Sequence, residues 1–263
     1  MSSNKETFGK TVIFVFIVCI VCALLVSFSA VQLKPLQVKN KLLDQQTKIL
    51  EAANLLELTD GTAQSIESTF SQFVEAKMID LDSGDFIEGN PDLFDERRNA
   101  RDNAKSDKPE NDIAGINRRS HDAVVYLVKN GAGSVETVVL PIVGSGLWDL
   151  MYGYVGLQND LNTVRNVVYS DHKETPGLGA EVMNPKWKAL WPGKKIYDDA
   201  GVVKANLVKG GASADDAYGV DALSGATLTS NGVTRTLQFW FGEEGYSPFI
   251  AKYRSSLGKG GVN

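Results

Sequence analysis

Cysteine and histidine are scarce in this chain of 263 residues, and that scarcity narrows the chemistry it can perform. Both cysteines, Cys19 and Cys22, lie in an uncharged N-terminal run, and residues 32–263 contain none. That part therefore has no disulfide, no iron–sulfur cluster and no thiolate metal site. The only two histidines, His121 and His172, do not favour a histidine-based metal site, and we predict no metal.

The chain also lacks a strong charge imbalance. Its net charge is −5, and this mild acidity argues against nucleic acid as a partner. A hydrophobic content of 43% at this length fits one ordinary domain plus an appendage. No internal repeats and no low-complexity tracts interrupt the sequence, so a repeat architecture is excluded.

Residues 11–31 carry no charged side chain. A helix of that length is about 31 Å long, which matches the hydrocarbon thickness of a bilayer. A cleaved signal peptide is the alternative, but its apolar core is typically only about 7–15 residues long. We therefore predict a retained transmembrane helix at 11–31, in which Cys19 and Cys22 serve apolar packing.

The lysines that flank this span leave its orientation open. A lysine count favours a cytoplasmic C-terminal side, but large domains translocate largely regardless of charge. The lysines before the span are Lys5 and Lys10, and those after it are Lys34, Lys39, Lys41 and Lys48.

Two further helices and a charged segment are predicted next. From Lys34 to Leu58, apolar residues recur on one side, which predicts an amphipathic helix that continues the anchor as a stalk. Ile66, Phe70, Phe73, Val74 and Met78 indicate a second helix, capped near Thr62 and running to Asp80. Residues 92–112 hold twelve charged side chains and predict a solvated surface helix or loop, with a partner-docking face as the alternative.

After Ser120 the sequence changes to short apolar runs separated by turn residues. Asn130-Gly131-Ala132-Gly133 between two β-rich runs is a strong hairpin signal. Successive hairpins with helices at both ends predict an α+β fold with a mainly antiparallel sheet. The predicted strands are 123–128, 135–140, 147–157, 163–169 and 201–208.

The segment from Asp221 to Ser230 is rich in small and hydroxyl residues and leads into a helical pattern at residues 233–241. Such a turn at a helix N-terminus can bind an anion, because free backbone N–H groups and the helix dipole point at it. The plain alternative is an N-cap, in which a Ser or Thr hydroxyl satisfies orphan amides.

A second block, residues 171–181, contains Pro176, Gly177 and Gly179. Proline fixes one φ angle and glycines allow close approach, so this loop can present its backbone to a planar ligand. His172 and Glu174 suggest an acid–base or metal site instead, and taken alone the block is an ordinary turn.

The spacing Asp221-x-x-Ser224-Gly225-Ala226-Thr227 resembles the flavinylation motif of FMN-binding domains. The resemblance implies that a dedicated transferase takes FMN from FAD and joins its phosphate to Thr227 as a phosphoester. Asp221, Ser224, Gly225 and Ala226 would be recognition elements.

Together with 146–149 and 172–179, this motif resembles the C subunits of the bacterial sodium-translocating NADH:quinone reductase over essentially the whole chain. The G subunit of the related ion-translocating ferredoxin:NAD oxidoreductase shares the domain and is the alternative. The charged insertion and a long helix from Thr62 to Asp80 favour the quinone reductase. A membrane-anchored flavin-dependent sensor, or a non-redox binding module in which Ser224 to Thr229 caps a helix, is the second alternative.

This resemblance implies an electron-relay subunit with covalent FMN and no catalytic residue of its own. It would receive electrons from an iron–sulfur centre and pass them towards the FMN of the B subunit, coupled to Na⁺ export, without binding NADH or quinone. Its partners would be the A, B, D, E and F subunits, the transferase during maturation, and the inner membrane.

The resemblance implies the orientation that the lysines leave open, with the domain in the periplasm. We expect a cytoplasmic tail at 1–10, the transmembrane helix at 11–31, a stalk helix at 32–60, a periplasmic FMN-binding domain at 61–257 and a flexible tail at 258–263.

Particular side chains are expected around the flavin. Glu174 and the loop residues Thr175, Gly177, Leu178 and Gly179 are expected to contact the isoalloxazine ring, while Thr227 holds the phosphate. Candidates for packing on the ring are Trp148, Tyr152, Trp187 and Trp191.

Overall fold

A computed structural model describes residues 8–259 of the chain. The predictions for residues 1–7 and 260–263, which belong to the two expected tails, lie outside the described residues. The chain divides into two compact units, one ending at Asp44 and the other beginning at Gln45.

The first helix, α1 (Phe8–Ala52), contains the whole uncharged run at 11–31. Its most apolar window has a mean hydropathy of 3.1, and none of that window is buried. The helix is therefore long and apolar enough to cross a membrane, as predicted. Pro35 lies inside it without interrupting it.

Helix α1 continues past the apolar run as predicted, but it ends at Ala52, short of the predicted Leu58. Asn54 adopts a φ of 57°, a left-handed conformation that ends helices and that asparagine tolerates. The amide of Leu55 then donates to the carbonyl of Leu50 at 2.8 Å, which closes the helix end. The next residues form only a short 3₁₀ turn.

The second predicted helix is wrong in its C-terminal half. Helix α2 (Ala63–Phe73) begins after Thr62, whose hydroxyl accepts a hydrogen bond from the Ser65 amide at 3.3 Å. From there the chain is a strand, β1 (Val74–Asp80), which pairs along its whole length with residues 122–128. The apolar spacing suits a helix locally, but pairing with a distant strand decides the conformation.

Six strands form the main sheet, and all neighbours in it are antiparallel. The four strands predicted between residues 123 and 169 are confirmed, and the Asn130 side chain accepts from two turn amides in the predicted hairpin. The remaining bounds are β2 (Phe86–Ile87), β3 (Ser106–Asp107), β4 (Arg119–Ser120), β5 (Asp122–Lys129), β6 (Val135–Ser145), β7 (Leu150–Gln158) and β8 (Val164–Asp171). Strands β3 and β4 form a separate pair, and the order in the main sheet is β2-β1-β5-β6-β7-β8.

The last predicted strand, at 201–208, is mostly irregular. Only β9 (Asn206–Val208) is extended, and it pairs in parallel with β10 (Gly219–Asp221) outside the main sheet. Before Asn206 the run makes only an isolated bridge from Val203 to Tyr197, and β9 pairs with the strand that ends at Asp221. The remaining helices are α3 (Glu96–Asn99), α4 (Pro185–Lys188), α5 (Thr227–Trp240) and α6 (Ser247–Lys259).

Apolar side chains cover both faces of the main sheet, which makes the domain a layered α+β structure. On one face, Val233 and Leu237 of α5 and Phe249 of α6 belong to the larger core. On the other face, Ile49 at the end of α1 packs with Phe70 of α2 in a smaller core.

The last turn of α1 also lies close against strand β7 and forms ion pairs with helix α4. The carbonyl of Ala52 lies where a Cβ on Gly156 of β7 would stand, so only glycine fits there. Glu51 forms ion pairs with Lys48 and with Lys188 of α4, and all three side chains are mostly buried.

The charged segment at 92–112 is a surface excursion containing α3 and β3, in agreement with the predicted solvated helix or loop. Its Glu96 side chain is nonetheless half-buried. Desolvation by burial raises the pKa of Glu96 from an ordinary 4.5 to about 7, and the nearby Arg97 only partly offsets this.

We expect Gly156→Ala to lower the free energy of unfolding by about 1–3 kcal/mol, because its Cβ overlaps the Ala52 carbonyl. Urea unfolding of the full chain in detergent, followed by tryptophan fluorescence, measures this. Gly131→Ala is the matched control, since a Cβ at Gly131 meets nothing within 4 Å. An equal decrease in the free energy of unfolding of both variants would contradict the packing argument.

We expect the stability of the domain to fall as pH rises from about 4.5 to about 7 through the contribution of Glu96. The folded chain retains this proton where the unfolded chain has lost it, so unfolding becomes easier as pH rises. Glu96→Gln should flatten this slope in melting temperatures measured between these pH values. Glu88→Gln, at an exposed position, should leave it unchanged.

Candidate functional site

Thr227 is the first residue of helix α5, and it is exposed. The chain reaches it from Asp221, the last residue of β10, through a turn at Ser224 and Gly225. Gly225 has a φ of 71°, a left-handed conformation that favours glycine. The helix thus begins at Thr227, and the small residue before it, Ala226, occupies the N-cap position.

Within the described part of the chain, no side chain caps the first-turn amides of α5. Ala226 has no side-chain oxygen with which to accept from the amides that follow it. The first amides of any helix lack intrahelical partners, and the helix dipole makes this end electropositive. The interpretation of this segment as an ordinary Ser or Thr N-cap is therefore wrong for α5. Its N-terminus suits a phosphate beside the exposed Thr227 hydroxyl.

The hydroxyls of Thr229 and Ser230 are buried, in contrast to that of Thr227. Ser230 Oγ donates to the Ala226 carbonyl at 3.0 Å and accepts from the Leu223 amide at 3.0 Å. Ser230 therefore fixes the turn from inside. The motif singled out Thr227 from the sequence, but the burial of Thr229 and Ser230 depends on what α5 packs against.

Asp221 stabilises the approach to this turn. Its Oδ1 accepts from the Ala212 amide at 2.8 Å, and its backbone carbonyl accepts from Trp187 Nε1 at 2.9 Å. Its side chain is exposed.

Glu174 joins the three sequence blocks through hydrogen bonds. Its Oε1 accepts from the amide of Leu147 at 2.8 Å and from the amide of Trp148 at 3.2 Å. Its Oε2 accepts from the hydroxyl of Thr229. Glu174 is only 5% exposed, so these donors satisfy a carboxylate that is otherwise costly to bury. Both of its oxygens are thus engaged by the protein.

Two glycines leave room for this carboxylate. A Cβ on Gly146 would overlap Glu174 Oε1, and a Cβ on Gly179 would overlap Glu174 Oε2 and lie 2.7 Å from Thr229 Oγ1. Glycine at both positions therefore follows from the close approach of three backbone segments to one side chain.

The loop between Glu174 and Gly179 lies on the surface. The amides of Leu178 and Ala180 both donate to the Thr175 carbonyl, at 3.1 and 3.2 Å, and Gly177 has a φ of 77°. The Leu178 side chain lies over Gly225, where an added Cβ would be 2.9 Å from its Cδ2. The loop and the threonine turn are therefore in contact.

Of the four aromatic candidates, Trp148 contacts this loop. Trp148 is 67% exposed, and its Nε1 donates to Thr175 Oγ1 at 3.2 Å. Tyr152 is half-buried beneath a guanidinium group. Trp187 and Trp191 are buried against each other, with ring centroids 5.6 Å apart, so they are core residues rather than ring contacts.

His172 has a structural role, since its Nδ1 accepts from the Glu174 amide at 3.1 Å. Within residues 8–259, no group of three or more His, Cys, Asp or Glu side chains is arranged to hold a metal ion.

Large exposed apolar side chains lie on the same chain segments as Glu174's hydrogen-bond partners and Thr227. Leu147, Trp148, Leu178 and Leu228 are each more than 40% exposed, which is unusual for residues of this size gathered at one site. Leu228 was not anticipated from the sequence, because nothing in its neighbours indicates which way it points. A planar apolar ring with a phosphate tail fits a surface that combines these side chains with the N-terminus of α5.

Comparison with known proteins agrees with this chemistry. Residues 146–242 match the family model described as the FMN-binding domain, a range that encloses all three sequence blocks. The chain is 45% identical to the C subunit of the Na(+)-translocating NADH-quinone reductase of Yersinia pestis, over 98% of this chain and 97% of that protein. It is 44% identical to the protein of the same name from Vibrio vulnificus, over 100% of both.

Solved structures give the same result. NqrC of Shewanella oneidensis matches with a TM-score of 0.78 and 39% identity, covering 83% of this chain and 99% of the other. The C subunit of the Na(+)-translocating NADH-quinone reductase of Parabacteroides distasonis matches with a TM-score of 0.65 and 28% identity, over 83% and 96%.

We expect Thr229→Val to lower the free energy of unfolding by about 1–3 kcal/mol, because it leaves buried Glu174 Oε2 without its donor. Thr227→Val is the matched control and should change it by less than about 0.5 kcal/mol, since that hydroxyl is exposed. Urea unfolding of both full-length variants measures these two changes in the free energy of unfolding. If the two lose the same stability, the Thr229–Glu174 contact is not what holds the site.

Proposed function

The chain belongs to the C-subunit family of the Na⁺-translocating NADH-quinone reductase, and on that premise we propose that it is an electron-relay subunit carrying covalent FMN on Thr227. The observation that carries this proposal is the exposed Thr227 hydroxyl at the uncapped N-terminus of α5. A hydroxyl there can be esterified to a phosphate that the first-turn amides hold by hydrogen bonds and the helix dipole.

The exposed surface beside Thr227 supports a site for the isoalloxazine ring. Trp148 and Leu178 offer apolar area, and Thr175, Gly177 and Gly179 shape the loop that faces the same turn. Bound FMN supplies the redox chemistry, and the residues of this chain bind and orient it.

Glu174 contributes to this site by holding its backbone in place. Both of its oxygens are engaged by protein donors, so we propose that it positions the Trp148 and Thr175 loops rather than offering a free oxygen to the ring. Outer-sphere electron transfer needs no acid, base or nucleophile, and we assign no catalytic residue. Thr227 acts as a nucleophile once, during maturation: its oxygen bonds to the flavin phosphate of FAD, AMP leaves, and the hydroxyl proton is released.

The proposed place of this chain is between an iron–sulfur centre and the FMN of the B subunit, in a complex with the A, B, D, E and F subunits. Helix α1 anchors the chain in the inner membrane, and the domain lies in the periplasm. A covalent bond suits that compartment, because a cofactor lost by dissociation could not readily be replaced there. Full-length similarity to members of the quinone reductase supports this complex over the ferredoxin-dependent one.

The length of the second helix no longer bears on that choice. It ends at Phe73 and does not reach Asp80, so the distinction rests on the relatives and not on that element.

We expect the wild-type chain, co-expressed with a flavin transferase, to give a fluorescent band after denaturation in SDS. Thr227→Val should give a dark band, because no oxygen remains to form the ester. Thr229→Val should still fluoresce, since its hydroxyl is buried against Glu174 and is not the attachment point. A dark wild-type band beside a fluorescent control substrate would contradict the proposal, as would fluorescence in Thr227→Val.

A further inference from the structure

Arg97 connects the charged segment at 92–112 to the framework of the site. Its Nη2 lies 2.6 Å from Asp171 Oδ2, and its Cζ lies 3.6 Å from the centroid of the Tyr152 ring. It stands on the short helix α3, whose start is capped by Asp95. One guanidinium thus makes both an ion pair and a cation–π contact.

The two partners of Arg97 stand at the strand ends that lead into the site. Tyr152 on β7 and Asp171 on β8 face each other in the sheet, and the strand register shifts just beyond Tyr152. The chain entering β7 carries Trp148, and the chain leaving β8 continues to Glu174 within three residues. Arg97 therefore contacts the ends of the two strands from which the Trp148 loop and the Glu174 loop extend.

A second cation lies along the same pair of chain segments. Lys173 forms an ion pair with Asp149, but both side chains are well exposed, and such a pair contributes little to stability. Arg97 is more enclosed and presents a planar face to the aromatic ring, a geometry that lysine cannot reproduce. Of these two cations, Arg97 is thus the better suited to fix the spacing of the strand ends.

We propose that Arg97 is a positioning residue of the flavin site, which fixes the Trp148 and Glu174 loops and adds positive charge beside them. This inference rests on the proposed function. Reduction adds electrons to a flavin, and a cation near the ring stabilises the added negative charge. We therefore expect Arg97 to raise the midpoint potential, with its ion-pair partner Asp171 offsetting part of the effect. The stacking of the planar Arg97 guanidinium on Tyr152 holds the two loops in place, and its charge acts on the midpoint potential of the flavin.

The test compares Arg97→Gln, Arg97→Lys and Arg98→Gln in the full-length chain carrying covalent flavin. Arg98 is the matched control, because it is exposed on the same helix and its change removes the same charge. Two quantities are measured: the midpoint potential by spectroelectrochemical titration, and hydrogen exchange of the Leu147 and Trp148 amides that Glu174 holds.

We expect Arg97→Gln to shift the potential to more negative values and to speed exchange at both amides by about three- to tenfold. Arg97→Lys should restore the potential while exchange stays fast, because lysine keeps the charge without the planar stack. Arg98→Gln should change neither. If Arg97→Gln fails to fold, the lysine variant decides through exchange alone.

Unchanged exchange and potential in Arg97→Gln would overturn this inference, as would an equal shift in Arg98→Gln, which would indicate net charge only. These outcomes leave the proposed function intact, because the SDS gel still shows covalent flavin. A wild-type chain without covalent flavin overturns both.

Discussion

The buried carboxylate of Glu174 is the constraint on which the site depends. A carboxylate so enclosed is tolerated only if hydrogen-bond donors surround it, and the donors come from chain segments far apart in sequence. Two are amides before β7 and the third is the Thr229 hydroxyl in the first turn of α5. Satisfying this group therefore fixes where α5 begins relative to the sheet, and so where Thr227 is presented. The glycines at 146 and 179 follow from the same requirement for space.

The far end of the site is linked to residues in the last turn of α1. Glu51, in the last turn of α1, pairs with Lys188 on α4, and the neighbouring Trp187 donates to the Asp221 carbonyl. Helix α4 thus contacts both the end of α1 and the start of the threonine turn. Because these contacts are mostly buried, they limit how far the turn can move relative to the end of α1.

Much of the fold could be read from local patterns. The uncharged run, the hairpin at Asn130 and the four central strands were predicted because their signals involve only near neighbours in sequence. The strand from Val74 to Asp80 was not, because its apolar spacing also fits a helix and only pairing with β5 distinguishes the two. The prediction of a strand at 201–208 failed for a related reason. Only Asn206–Val208 is extended, and its partner β10 lies beyond an irregular stretch.

The sequence by itself determined the long apolar helix, the α+β class and the family, because composition, periodicity and a motif of small residues around Thr227 are local properties. The tertiary structure alone decided which hydroxyl is exposed and which is buried, that Trp187 and Trp191 are core while Trp148 is at the surface, and that Glu174 faces inward. It also brought Arg97 to Asp171 from 74 residues away. These features depend on burial and on contacts between distant segments, which no local pattern encodes.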